Sequence, residues 1–205
     1  MIKTPTFTTL FIDVGGVLLT NGWDRKAREK AATTFSFDLA EMESRHSLTF
    51  DTYEVGKITL DEYLARILFY KPRDFTPNQF KKFMFEQSQP YEEMLKLISK
   101  LKKKYDLKIA VVSNEGRELT EYRIKKFKLG HFVDFFVSSC FVHFRKPDAE
   151  IYRLTLDIAQ VTPKEVLYIE DRPLFIEVAK NLGITGLCHK EYQSTKELLA
   201  SHNLR

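Results

Sequence analysis

Four polar clusters, far apart in the chain, each stand where an apolar run ends or a helix begins. Leu10-Phe11-Ile12-Asp13-Val14-Gly15-Gly16-Val17-Leu18 ends an apolar run in a carboxylate and follows it at once with two glycines. Ile109-Ala110-Val111-Val112-Ser113-Asn114 ends in a hydroxyl and an amide, and Arg145-Lys146-Pro147-Asp148 sets a lysine just before a helix start. Val166-Leu167-Tyr168-Ile169-Glu170-Asp171-Arg172-Pro173 ends in adjacent acids. A carboxylate such as Asp13 can attack phosphorus when a cation bridges the two negative groups. Its alternative is an Asx hydrogen bond that caps the following turn. Glu170 and Asp171 are hard oxygen donors of the kind Mg²⁺ takes, or else acids that favour the dipole of a helix opening at Pro173. The Ser113 hydroxyl and the backbone N–H groups near Asn114 make an anion site at a helix start; a plain N-cap serine is the alternative. Lys146, kept extended by Pro147, would offset charge on a bound anion and on Asp13, or else be a solvated surface lysine.

The elements that must position these groups follow from pattern. Residues 8–13 read as a first strand, and Gly15, Gly16 and Gly22 force a turn over 14–22. From 24 to 89 there is no run of β-branched residues; 26–35, 39–55, 60–69 and 77–87 have helical spacing. Thr59-Leu60-Asp61-Glu62 fits an N-cap with first-turn acids, and Thr76-Pro77 an N-cap with proline at the first helical position. After Pro90, helices at 92–103, 118–126, 149–159, 173–182 and 194–202 alternate with strands at 108–113, 135–138, 166–169 and 185–188. Alternating units of this kind predict an α/β fold with a Rossmann-like parallel sheet and helices on both faces. The polar residues then share the strand C-terminal edge, where ligands bind in open α/β sheets. The helical block becomes a small inserted cap over that edge: residues 1–20 and 91–205 form the core, residues 21–90 the cap.

Composition narrows the class. The 205 residues carry a net charge of +4, and the one tight basic run, Lys102-Lys103-Lys104, falls at a helix end that favours cations. Nucleic acid is therefore not an expected partner. Cys140 and Cys188 lack metal-ligand spacing and read as buried thiols of a reducing compartment. The apolar run 9–19 is broken by Asp13 and two glycines, which fits neither a signal peptide nor a membrane span, so the cytoplasm is the expected location. Oligomeric state has no signature here.

The four motifs, in this order and from about Leu10 to about Gly183, resemble those of the haloacid dehalogenase superfamily, whose commonest members are phosphatases. The resemblance implies a Mg²⁺-dependent phosphomonoester hydrolase working through an aspartyl-phosphate. Asp13 is then the nucleophile, Ser113 and Lys146 the catalytic partners, and Ser113, Asn114 and Lys146 the phosphate binders. The implied metal set is Asp13, the Gly15 carbonyl, Glu170 and Asp171, with Glu170 either ligating or holding a metal-bound water. Arg145 is a further cation near the phosphate. A capped member of this kind is similar to sugar-phosphate phosphatases and implies a small phosphorylated substrate. Phosphatases of the family usually carry a second Asp two residues after the first, and here Gly15 stands in its place. Some members resembling a glucose-1-phosphate phosphatase share that glycine. Asp24 and His143 are the candidate replacements as acid and base. Rival readings are a metal-free 2-haloacid dehalogenase and a phospholigand-binding protein without turnover. On the cap, Arg45, His46, Tyr53 and Lys57 are the polar residues that could meet a substrate, while Phe35, Phe37, Phe69, Phe80, Phe83 and Phe85 read as cap core.

Overall fold

Near-continuous apolar runs make strands that are buried on both faces, and this chain has five of them among the residues described by its computed structural model, 7–205. Residues 1–6, the start of the expected core segment 1–20, lie outside the described residues. The strands are β1 (Thr9–Ile12), β2 (Lys108–Ser113), β3 (Phe135–Ser138), β4 (Val166–Glu170) and β5 (Thr185–Cys188). They form one sheet in the order β3-β2-β1-β4-β5, with every pair parallel. Between β1 and β2 run α1 (Arg25–Phe35), α2 (Leu39–Glu54), α3 (Leu60–Ile67), α4 (Pro77–Glu86) and α5 (Glu92–Tyr105). Later connections carry α6 (Arg117–Lys126), α7 (Ser139–Val142), α8 (Ala149–Ala159) and α9 (Pro173–Asn181), and α10 (Tyr192–Ser201) follows β5.

Side chains alternate across the sheet. Leu10 and Ile12 of β1 join Ile98 and Leu101 of α5 and Leu199 of α10 in one apolar cluster. Phe11 faces the other way, into a cluster with Ile151 and Tyr152 of α8 and Ile176 and Ala179 of α9. A third cluster gathers Trp23, Tyr53, Tyr63, Phe80 and Met84 from the block α1–α4, with Phe37 buried in it and Phe35, Phe69, Phe83 and Phe85 packed around it. The ends of these helices follow local rules. Thr59 with Glu62, and Thr76 with Gln79, form reciprocal capping boxes, and Pro77 opens α4. Lys102, Lys103 and Lys104 fill the last turn of α5.

Register sets the site. Ile12 lies level with Val111 of β2 and Ile169 of β4. Asp13, Ser113, Glu170 and Asp171 therefore emerge together at the C-terminal edge of three neighbouring strands. The chain runs from β1 to one side through β2 and β3, then crosses to the other side for β4 and β5, and the crevice at such a reversal is where open α/β sheets bind ligands.

Two details differ from the sequence expectations. One turn of helix, α7, follows β3 directly; four residues are too few to show a helical period. Cys140 is buried on that turn, whereas Cys188 is only half-buried at the end of the edge strand β5, so the pair of buried thiols reduces to one. No helix among the described residues is long and apolar enough to cross a membrane.

Candidate active site

Asp13 leaves β1 with its backbone N–H donating to Ile169 O at 3.0 Å. Its Oδ1 accepts from Val14 N at 2.8 Å and lies 3.1 Å from Lys146 Nζ. Lys146, only 1% exposed, comes from the segment before α8 and reaches across the strand ends to bridge Asp13 and Glu170, whose Oε2 is 2.6 Å from its Nζ. Asn114 fixes that segment: its Nδ2 donates to Lys146 O, and its Oδ1 accepts from Lys146 N, both at 2.8 Å. The Asn114 side chain therefore serves the backbone of the lysine. Both Glu170 oxygens are engaged. Oε2 accepts from Lys146 and from the Tyr168 hydroxyl, and Oε1 accepts from Asp171 N at 3.0 Å and Arg172 N at 3.1 Å.

Asp171 is different: its Oδ1 is buried and has no hydrogen-bond partner. Its other oxygen lies where a side chain on residue 16 would be, since a Cβ built on Gly16 would sit 2.2 Å from Asp171 Oδ2. Gly16 also has φ +77°, a conformation that favours glycine. The glycine thus opens the space the carboxylate occupies. Asp13, Glu170 and Asp171 each offer an oxygen within 4.8 Å of the others. An orphaned buried oxygen close to two further carboxylates makes a hard, all-oxygen donor set of the kind Mg²⁺ takes.

Burial pushes the Asp13 carboxyl above the usual range and Glu170 adds to the rise, while Lys146 and the Ser113 hydroxyl pull it down. Burial works against the Lys146 charge, but Asp13 and Glu170 overcome it and hold the ammonium above its ordinary value. A divalent cation among these carboxylates would stabilise their ionised forms further.

Above this edge lies a cavity of about 250 Å³ lined by Asp13, Gly15, Ser113, Asn114, Arg145 and Lys146 from the sequence motifs. Trp23, Asp24, Arg28, Phe50 and Glu54 line it from the helical block, and Glu115, Arg123 and Arg172 from the sheet side. Asp24 is in the cavity wall, but its Oδ1 accepts from Ala27 N at 2.9 Å as the cap of α1. His143 is outside the wall, with its Nδ1 2.7 Å from Val55 O. None of Arg45, His46, Tyr53 and Lys57 lines the cavity. Arg45 lies over the Tyr70 ring, and His46 is buried against the Tyr63 hydroxyl at 2.7 Å, where burial lowers its pKa to about 4. Tyr53 packs on Gly116, and Lys57 is exposed.

The sequence motifs missed Glu54 and Arg123. Arg123 Nη1 lies 2.8 Å from Glu115 Oε2, Nε donates to Ser88 Oγ at 3.0 Å, and Nη2 donates to Thr20 O at 3.0 Å. Neither Glu54 nor Arg123 stands in a local pattern; Glu115 directly follows Ser113-Asn114, and the packing of α2 and α6 on the strand edge brings the other two to it.

A doubly covered parallel sheet with a carboxylate after its central strand, a buried bridging lysine and an acid pair defines a doubly wound α/β protein whose polar groups converge at one sheet edge. Residues 39–188 match the haloacid dehalogenase-like hydrolase family, and the chain belongs to it. It is 30% identical over 159 residues to flavin mononucleotide hydrolase 1 (chloroplastic) of Arabidopsis thaliana, covering 75% of this chain and 61% of that one. It is 27% identical over 118 residues to the phosphorylated carbohydrates phosphatase of Thermotoga maritima, 55% of each chain. The matches thus span about three fifths or less of these curated relatives. The fold is shared with a haloacid dehalogenase family enzyme of Bacteroides thetaiotaomicron, solved in complex with magnesium and inorganic phosphate. That structure has a TM-score of 0.78 and 24% identity, over 90% of this chain and 94% of the other. An L-2-haloacid dehalogenase of Xanthobacter autotrophicus also shares the fold, with a TM-score of 0.63 and 16% identity over 97% of this chain and 84% of the other.

Proposed function

We propose that the protein is a Mg²⁺-dependent phosphomonoester hydrolase of small phosphorylated metabolites, with residues 1–20 and 91–205 as its core and 21–90 as a helical cap. The observation that carries this reading is the pairing at the strand edge: Lys146 bridges Asp13 and Glu170, while Asp171, whose Oδ2 fills the space Gly16 opens, keeps its buried Oδ1 unpaired. An unpaired carboxylate oxygen grouped with two further acids favours a cation site over a metal-free dehalogenase.

Asp13, Asp171 and the Gly15 carbonyl would hold the ion. Glu170, its oxygens already engaged, acts on the site through Lys146 and the backbone of residues 171 and 172. Bound Mg²⁺ supplies charge neutralisation between a carboxylate and the phosphate it faces. Asp13 attacks phosphorus in line and becomes an aspartyl-phosphate. Lys146 and Ser113 neutralise the transferring oxygens, and water then releases inorganic phosphate and restores the carboxylate. The cavity, about 250 Å³, is smaller than the ~300–1,000 Å³ of drug-sized ligand pockets. It favours a substrate the size of a sugar phosphate, the class named for the Thermotoga relative, over one carrying a flavin ring.

A panel of small phosphoesters assayed with Mg²⁺ or with EDTA tests this. Asp13→Asn is expected to lower turnover by about 10³-fold or more, and EDTA to abolish it. Equal rates for Asp13→Asn and wild type end the nucleophile assignment. Halide release from a 2-haloacid in EDTA would establish the dehalogenase reading instead.

A further inference from the structure

The phosphatase reading leaves one task unassigned. A leaving oxygen needs a proton and the attacking water must lose one, but Gly15 has no side chain to do either. We propose that Glu54, the last residue of α2, is the general acid and base of this site, an assignment that rests on the phosphatase reading above.

Glu54 lines the same cavity as Asp13 and Ser113 and is only 6% exposed. Its Oε2 lies 2.7 Å from Arg145 Nε, yet neither atom has a hydrogen-bond partner: the contact is an ion pair that leaves the carboxyl oxygen's hydrogen-bonding capacity unused. Among the other acids of the cavity wall, Asp24 caps α1 and Asp13 is the nucleophile; Glu115 also pairs with an arginine, but that one is pinned by Ser88 and Thr20, and no Glu115 oxygen is buried without a partner as Glu54 Oε2 is.

Glu54 comes from the helical block, but its position is fixed by the core. Ser139 Oγ donates to Glu54 O at 2.6 Å, and His143 Nδ1 bonds Val55 O at 2.7 Å. Gly56 sits so close to the backbone of α7 that a Cβ on it would be 2.3 Å from Cys140 O. Three consecutive residues are thus tied to the segment after β3, which holds the carboxyl over the strand edge.

The surroundings also tune it. Burial raises the Glu54 carboxyl to about 7, with Glu115 across the cavity and Asp51 on α2 adding to the rise and Arg145 and Arg172 opposing it. A group that titrates near the working pH is suited to both halves of proton transfer. In the first half the P–O bond to the alcohol breaks as the bond to Asp13 forms, and the Glu54 proton moves to the departing oxygen. In the second, the Glu54 carboxylate takes a proton from water as the water oxygen bonds phosphorus. The bond to Asp13 breaks, phosphate leaves, and Glu54 is protonated for the next cycle.

The experiment compares p-nitrophenyl phosphate, whose leaving group needs no acid, with a sugar phosphate, whose leaving group does, using the Mg²⁺-loaded full chain. Glu54→Gln should lower kcat/KM for the sugar phosphate by ~10²–10⁴-fold and that for the aryl ester by less than ~10-fold. Slow hydrolysis of the aspartyl-phosphate should then give a burst of nitrophenol. In wild type, kcat/KM for the sugar phosphate should fall as pH rises through about 7, a limb missing from the aryl ester. That wild-type comparison stands even where Glu54→Gln does not fold. Glu54→Asp, which keeps the carboxyl, should recover part of the sugar-phosphate rate. Equal losses for both esters, no loss at all, or a wild-type pH limb shared by both esters overturns the assignment. A wild type silent toward every phosphoester fells the phosphatase reading itself, an outcome that needs no variant to recognise.

Discussion

Glu54 costs the fold something at neutral pH. Its carboxyl titrates at about 7 in the folded chain against an ordinary 4.5, because it is buried. The folded state therefore holds the proton more tightly than the unfolded state. Stability falls as pH rises from about 4.5 to about 7, and the deficit is complete above that. Glu54→Gln removes the charge that burial disfavours. The variant should be more stable than wild type at pH 8, by on the order of 1–3 kcal/mol, and should lose that advantage near pH 4.5. Thermal unfolding at the two pH values reads this directly; an offset that does not change with pH refutes it. A gain in stability with a loss of turnover is the pattern expected where a residue is kept for chemistry.

At the scale of elements, a second contact that carries α2 onto the core is Tyr53 against Gly116, the residue that opens α6. A Cβ on Gly116 would lie 2.1 Å from the Tyr53 ring. The ring cannot step back. It stacks on Tyr63 at 4.8 Å, and the Tyr63 hydroxyl is held by Trp23 Nε1 at 2.9 Å and His46 Nδ1 at 2.7 Å. Gly116→Ala should therefore cost ~1–3 kcal/mol by overpacking and should also slow turnover, because Glu54 is the next residue along. Denaturant unfolding and kcat measured together check this; wild-type values for both would mean that the aromatic stack yields freely. These helices were legible because their boundaries are written locally: Thr59, Thr76 and Pro77 stand where caps belong, and apolar residues recur at helical spacing. The single turn α7 was not, since its role depends on Ser139 and Cys140 meeting α2 across 85 residues of chain or nearly so.

At the scale of the molecule, the strand-edge residues were visible in the sequence because a parallel sheet forces the ends of its strands together. Asp13, Ser113, Glu170 and Asp171 need only the register to meet. Lys146 was visible through the proline after it. The remainder depended on tertiary packing. Nothing local told that Asn114 would clamp the lysine, that Cys188 would sit on an edge, or that Glu54 and Arg123 would enter the cavity wall. The same packing fills the space beside Gly15. A Cβ there would lie 2.8 Å from Asn21 Oδ1 and 3.9 Å from Arg123 Nη1, the nitrogen already paired with Glu115. Gly15→Asp should therefore set its new carboxylate against a guanidinium instead of a leaving oxygen, and kcat should not exceed that of wild type. A faster variant in steady-state assay would contradict this.

Crowding at that glycine also bears on how such a protein can change over time. To acquire a working aspartate at position 15, a descendant would first have to shift or replace Asn21, whose Oδ1 stands in the way, and would then have to keep the new carboxylate from pairing with Arg123. A directed-evolution library that varies position 15 together with 21 and 123 is therefore a better route to it than one confined to position 15.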